Sequence, residues 1–263
     1  MGIIEILGYT GALMVGIVLG LIGGGGSILT VPILVYLFYL NPVTATAYSL
    51  FVVGTSALVG ALRNMQKKLV VFKTAFIFAG PAFVMVFITR KFVIPAIPHT
   101  LFYIGDFQLT KNLGIMVFFA IIMLLASITM IRNKEQDREV KTTNYPLLML
   151  QGTIIGFVTG MVGAGGGFLI IPALVLLAGI PMKKAVATSL FIIAINSLIG
   201  FTGDISNMNI DWLFLLTFTS ISVAGIFIGI WLNKFIDGKK LKKAFGWFVL
   251  LMGVYIIYKE FTM

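Results

Sequence analysis

Four stretches of this 263-residue chain, 43–62, 112–131, 147–163 and 185–202, contain no Asp, Glu, Lys or Arg. Each approaches the roughly 20 apolar residues that carry an α-helix across a bilayer core of about 30 Å. Six further apolar runs, 3–22, 28–40, 70–89, 168–178, 211–233 and 244–258, hold at most one such residue apiece. Charged residues make up 11% of the chain, against about 25% in a soluble domain. A water-soluble fold of this size has more polar surface to cover than these residues supply. The bilayer is the solvent that fits, and the chain reads as a multi-pass, all-α integral membrane protein with no room for a soluble catalytic domain. The opening MGIIEILGYTG has no positive stretch and no small-residue cleavage site, so it reads as the first membrane segment. There is no cysteine, which excludes disulfides, thiolate nucleophiles and Cys-based metal sites. The net charge of +10 sits in short loops, as topology determinants do, and does not indicate nucleic acid.

The second constraint is an internal duplication. Sliding the sequence by 140 lays GIVLGLIGGGGSILTVPILVYL (16–37) on GFVTGMVGAGGGFLIIPALVLL (156–177). The match runs ungapped through Ser49-Leu50-Phe51 over Ser189-Leu190-Phe191 to Gly60 over Gly200, with about 18 of 45 positions identical. The chain therefore divides into an N-terminal repeat (1–131), a charged linker (132–146) and a C-terminal repeat (147–263), all in one membrane domain. Each repeat has five runs, an odd number, so the halves are expected in opposite orientations. The basic clusters that follow runs three, five, seven and nine all fall on one side if the runs alternate, and that side should be cytoplasmic. The segment 203–211 has two aspartates and no Lys or Arg. The exception is 90–111, read as an outside loop although it carries Arg90, Lys91 and Lys111. The expectation is an inverted repeat with the N-terminus outside, in the cytoplasmic (inner) membrane, a recurrent transporter architecture. Runs 28–40 and 168–178 are short. Thirteen helical residues reach about 20 Å, so these runs are either re-entrant half-helices or short tilted spans.

Two motifs can carry chemistry. Gly23, Gly24, Gly25, Gly26 and Ser27 form one glycine tract, and Gly163, Ala164, Gly165, Gly166 and Gly167 form the other. A helix does not run comfortably through so many glycines. Unwound backbone at membrane depth is tolerated only in protein or beside a polar cavity, and a helix that restarts there aims free N–H groups at an anion. Gly16/Gly20, Gly156/Gly160 and Gly225/Gly229 instead have the spacing of close helix packing. The second motif is the aligned pair Ser49 and Ser189, with Thr188 beside the latter, whose hydroxyls could donate to an oxyanion or bond their own helices. Arg63, Asn64 and Asp204 follow runs three and eight and read as interfacial, and His99 lies in a proline-broken loop. There is no catalytic triad, carboxylate pair, metal cluster or cofactor motif. No buried carboxylate names a proton-coupling residue.

The two glycine signatures, the polar central loop and Ala187-Thr188-Ser189-Leu190 resemble the TauE/SafE family of sulfite exporters over nearly the whole chain. The second copy is the fuller match: the first has Tyr48 and Ser27 where the second has Thr188 and Gly167. The resemblance implies a permease for sulfite, thiosulfate, sulfonates or other small anions, with protons as a candidate coupling ion, no enzymatic activity and no fixed oligomeric state. Substrate binding is expected at the two tracts with Ser49, Thr188 and Ser189. An anion channel of the same architecture is the alternative, with a membrane-embedded enzyme behind it.

Overall fold

The computed structural model describes residues 2–24, 26–104, 107–132, 145–163, 165–176, 178–233, 235 and 238–262. Among the described residues, ten helices account for the ten apolar runs. The first half supplies α1 (Ile3–Ile22), α2 (Ser27–Tyr36), α3 (Pro42–Gln66), α4 (Phe72–Ala96) and α5 (Lys111–Arg132). The second supplies α6 (Tyr145–Val162), α7 (Gly167–Leu176), α8 (Met182–Thr202), α9 (Trp212–Leu232) and α10 (Gly238–Thr262). One antiparallel hairpin, β1 (Thr100–Ile104) with β2 (Phe107–Thr110), lies between α4 and α5. Among the described residues, seven helices, all but α2, α7 and α10, are long and apolar enough to cross a membrane. Large apolar side chains such as Leu213, Leu251 and Tyr258 stay exposed around the outside, as lipid contact allows. The chain is an all-α multi-pass membrane protein.

Local chemistry sets the helix ends. The Asn41 carboxamide oxygen accepts from Val43 N–H, and Pro42 occupies the first position of α3, where a missing N–H costs nothing. The Asp211 carboxylate accepts from Phe214 N–H and caps α9. Gly23 (φ 81°) and Gly163 (φ 71°) take left-handed conformations that close α1 and α6. Ten residues give α2 and α7 a length of about 15 Å, half the hydrocarbon core. At that length neither helix by itself bridges the core.

The halves are interleaved. α1 lies along α9 and α6 along α4; α3 packs on α8 and α5 on α10. α4 also meets α8, as α9 meets α3. Each of these contacts turns into another, or into itself, when five is added to or taken from each helix number, and the atoms follow the offset of 140. A Cβ on Gly16 would strike Ser222 O, and one on Gly156 would strike Ala82 O. Gly60 faces Leu190 and Ile226, while Gly200 faces Leu50 and Val86. The paired glycines of α1, α6 and α9 thus let helix backbones touch, as their spacing leads one to expect.

One segment departs from the sequence reading. Residues 90–96 are not loop: α4 runs on to Ala96 through a π-helical turn at Thr89–Val93. Lys111 donates to the Ile94 carbonyl at the end of this extension, and Arg90 is carried into the interior.

Candidate functional site

The glycine tracts meet. A Cβ built on Gly24 would lie 2.5 Å from the carbonyl carbon of Gly167, and one on Gly167 would lie 2.5 Å from Gly24 Cα. Backbone touches backbone there, so no side chain fits at either position. Gly167 is the first residue of α7, whose leading N–H groups have no partner within the helix. Gly165 (φ 64°) and Gly166 (φ 67°) hold left-handed conformations on the approach, which strain any other residue. The flanks are equivalent in the two halves. Gly23 packs on Val186 at the start of α8, and Gly163 packs on Thr46 at the start of α3. Ser27 opens α2. Gly25 and Ala164 lie outside the described residues.

Three helices wall the second tract. Thr46 and Val53 of α3 touch Gly163 and Gly165; Ile193 and Ser197 of α8 touch Gly165; Ile155 and Thr159 of α6 touch Gly166. Ser189 donates to Val186 O and reaches the Gly23 carbonyl at 3.1 Å, so it belongs to the first tract. Ser49 is fully buried, and its hydroxyl meets no protein partner. Thr188 faces elsewhere: its hydroxyl accepts from Val71 N–H at the start of α4. The aligned residue Tyr48 accepts from Asp211 N–H at the start of α9. Since 211 and 71 also differ by 140, two chemically different side chains do one job, holding the first turn of the following long helix.

Arg90 is completely buried, and Asp204, just past the end of α8, is 4% exposed. Arg90 Nε donates to Asp204 Oδ2 at 2.6 Å. Its Nη1 donates to Thr46 Oγ1 (3.0 Å) and to Gly160 O (3.2 Å). One side chain therefore ties α4 to α3, to the last turn of α6 and to the α8–α9 connection, next to Gly163. Burial pushes the Asp204 carboxyl above the usual carboxylate range, and the Arg90 charge and hydrogen bond pull it back. The 140-offset counterparts are Ile230 and Asn64. The Asn64 carboxamide donates to its own helix, at Gly60 O, and Ile230 carries no charge, so the clamp is not repeated between these counterparts.

The family profile described as "Sulfite exporter TauE/SafE" matches residues 9–256. The chain belongs to the TauE/SafE family. Similar proteins include a "Probable membrane transporter protein" of Xylella fastidiosa strain 9a5c, 27% identical over 95% of this chain and 93% of that one. "Probable membrane transporter protein YunE" of Bacillus subtilis is 28% identical over 94% and 95%. "Probable membrane transporter protein MJ0441" of Methanocaldococcus jannaschii is 40% identical over 42% of this chain and 44% of its own. No solved structure matches the chain. The protein is thus a membrane transporter of the TauE/SafE family.

Within this TauE/SafE chain, the sequence reading has no place for Thr159 and puts Arg90 in a loop. Asp204, expected at the interface, is buried against Arg90. A signal for Arg90 is present: the offset of 140, carried on past Gly60 and Gly200, puts its counterpart Ile230 inside run 211–233 and so Arg90 within a helix. Its positive charge on the wrong side of the charge pattern is a second one.

Proposed function

We propose that the protein is a secondary transporter of small anions, with sulfur-containing oxyanions such as sulfite as its substrate class. The observation that carries this is the meeting of the two tracts at Gly24 and Gly167. Two helices too short to cross the membrane restart around this point, and their free N–H groups and positive dipole ends favour an anion. In this reading Gly23–Ser27 and Gly163–Gly167 line the substrate path together with Ser49 and Ser189, and Thr188 supports it from the start of α4. The family description supplies the sulfur-oxyanion class. The exchange of every major helix contact under the 140-residue offset supports two inverted halves that rock about a central site, opening it to either side in turn. The N-terminus faces outward from the cytoplasmic membrane, in line with the placing of the basic clusters.

The test is uptake of labelled sulfite, thiosulfate and a small sulfonate into proteoliposomes, with and without an imposed pH gradient. Saturable uptake of at least one anion is expected, and acceleration by the gradient identifies protons as the coupling ion. Gly166→Val, whose Cβ would lie 2.2 Å from Thr159 Oγ1, should abolish uptake while the protein still inserts. Normal uptake by that variant would overturn the proposed site, and flux that never saturates would make the protein a channel.

A further inference from the structure

Buried polar groups in native proteins are almost always hydrogen-bonded, and each exception calls for an explanation. Here Ser49 Oγ, Thr159 Oγ1 and Ser197 Oγ are enclosed and meet no partner in the protein. Thr30, Gln151 and Asn196 carry such atoms too; what singles out the first three is a common neighbour. Ser197 Oγ and Thr159 Oγ1 are the closest polar atoms to the Cβ positions of Gly165 (3.0 Å) and Gly166 (2.2 Å). Ser49 lies between Thr46, which touches Gly163, and Val53, which touches Gly165. The spacing 46, 49, 53 puts all three on one face of α3.

The duplicated chain contains its own control. The counterparts of Thr159, Ser197 and Ser49 are Leu19, Ala57 and Ser189. The first two have no polar side-chain atom, and Ser189 bonds Val186 O and Gly23 O. The first tract therefore has none of the three unpartnered hydroxyls that surround the second. Burying hydroxyls without partners is unfavourable, so a fold that does so three times around one tract, where the other tract has Leu19, Ala57 and a bonded Ser189, keeps them for something else. Hydroxyls of this kind donate to acceptor oxygens, and they stand beside the N-terminus of α7, which favours negative charge.

We infer that the anion binds off the pseudo-two-fold axis, on the second glycine tract, with Ser49, Thr159 and Ser197 as its hydroxyl donors. The first tract is then the surface against which the second closes, not an equal half of the site. This rests on the transport reading above and narrows it: one anion, one tract, three hydroxyls.

The experiment uses the full chain, purified, with sulfite as the probe. Ser49→Ala, Thr159→Val and Ser197→Ala are each compared with wild type in two assays. In thermal unfolding without anion, the variants should melt at or above the wild-type midpoint, because a hydroxyl with no partner is removed; the stabilisation by added sulfite should be lost. In proteoliposomes KM should rise by at least about tenfold per variant, the loss expected for one hydrogen bond to a charged ligand. Wild-type KM in all three variants would overturn the inference while leaving transport standing. So would a lowered midpoint without anion, which would make the hydroxyls structural. Absence of flux of sulfite, thiosulfate and a small sulfonate alike through folded wild-type protein would remove the transport reading and the inference with it.

Discussion

Replacing Arg90 by alanine leaves the Asp204 carboxylate buried without its counter-charge, and Thr46 Oγ1 and Gly160 O without their donor. Breaking a buried ion pair from one side costs about 3–5 kcal/mol. At about 2–4 °C per kcal/mol for a chain of this size, the unfolding midpoint should fall by roughly 6–20 °C. Thermal unfolding of detergent-purified protein reads it directly. The loss has a definite pH dependence. Burial already raises the Asp204 pKa and Arg90 opposes that rise, so in the variant the folded-state pKa climbs further. The penalty is that of a buried charge: it is present above this raised pKa and relieved as pH falls through it and Asp204 takes up a proton. R90A should therefore lose more stability at pH 8 than at pH 5. Joint replacement, R90M with D204L, should recover most of the loss, since apolar pairs often replace buried ion pairs at little cost. A change below about 1 kcal/mol in R90A, or additive losses in the double variant, would refute the claim that the two charges act as a unit.

Other positions give sharper local tests. Gly16→Val would drive a Cβ to 1.9 Å from Ser222 O across the α1–α9 seam; with rigid backbone on both sides, folded monodisperse protein should be lost by size exclusion. Gly80 has nothing within 4 Å of its Cβ position, so Gly80→Ala should leave yield and midpoint unchanged or slightly raised. Tyr48→Phe and Thr188→Val each remove the acceptor of one N–H, at Asp211 and Val71 respectively. Each should cost about 1–3 kcal/mol, and amide exchange should quicken at that residue and not at its counterpart.

Much of this fold can be read from residue order. Charge-free runs of spanning length are physically decisive because lipid offers unpaired backbone and charge no partner, and nine of the ten helices begin within three residues of their runs. The duplication went further: an alignment of glycines and a Ser-Leu-Phe at one offset carries over to helix contacts such as Gly60 with Ile226 and Gly200 with Val86. The role of Arg90 is not legible in the sequence, because Pro95 in TRKFVIP suggests a break and its partner lies 114 residues away. Thr159 is hidden for the opposite reason. A search for shared residues selects what both halves need to pack, and passes over the positions where only one half has a hydroxyl.

The interleaving of α1 with α9 and of α6 with α4 also bears on biogenesis. A nascent chain emerges from the ribosome in order, so α1 enters the membrane with its glycine face against lipid and waits almost 200 residues for α9. The two halves are sequential in synthesis but mutually dependent in assembly, and neither is a module that can be inserted, inherited or lost alone. Expressed as separate polypeptides cut in the charged linker, they should each be cleared by quality-control proteases, and survive only when made together.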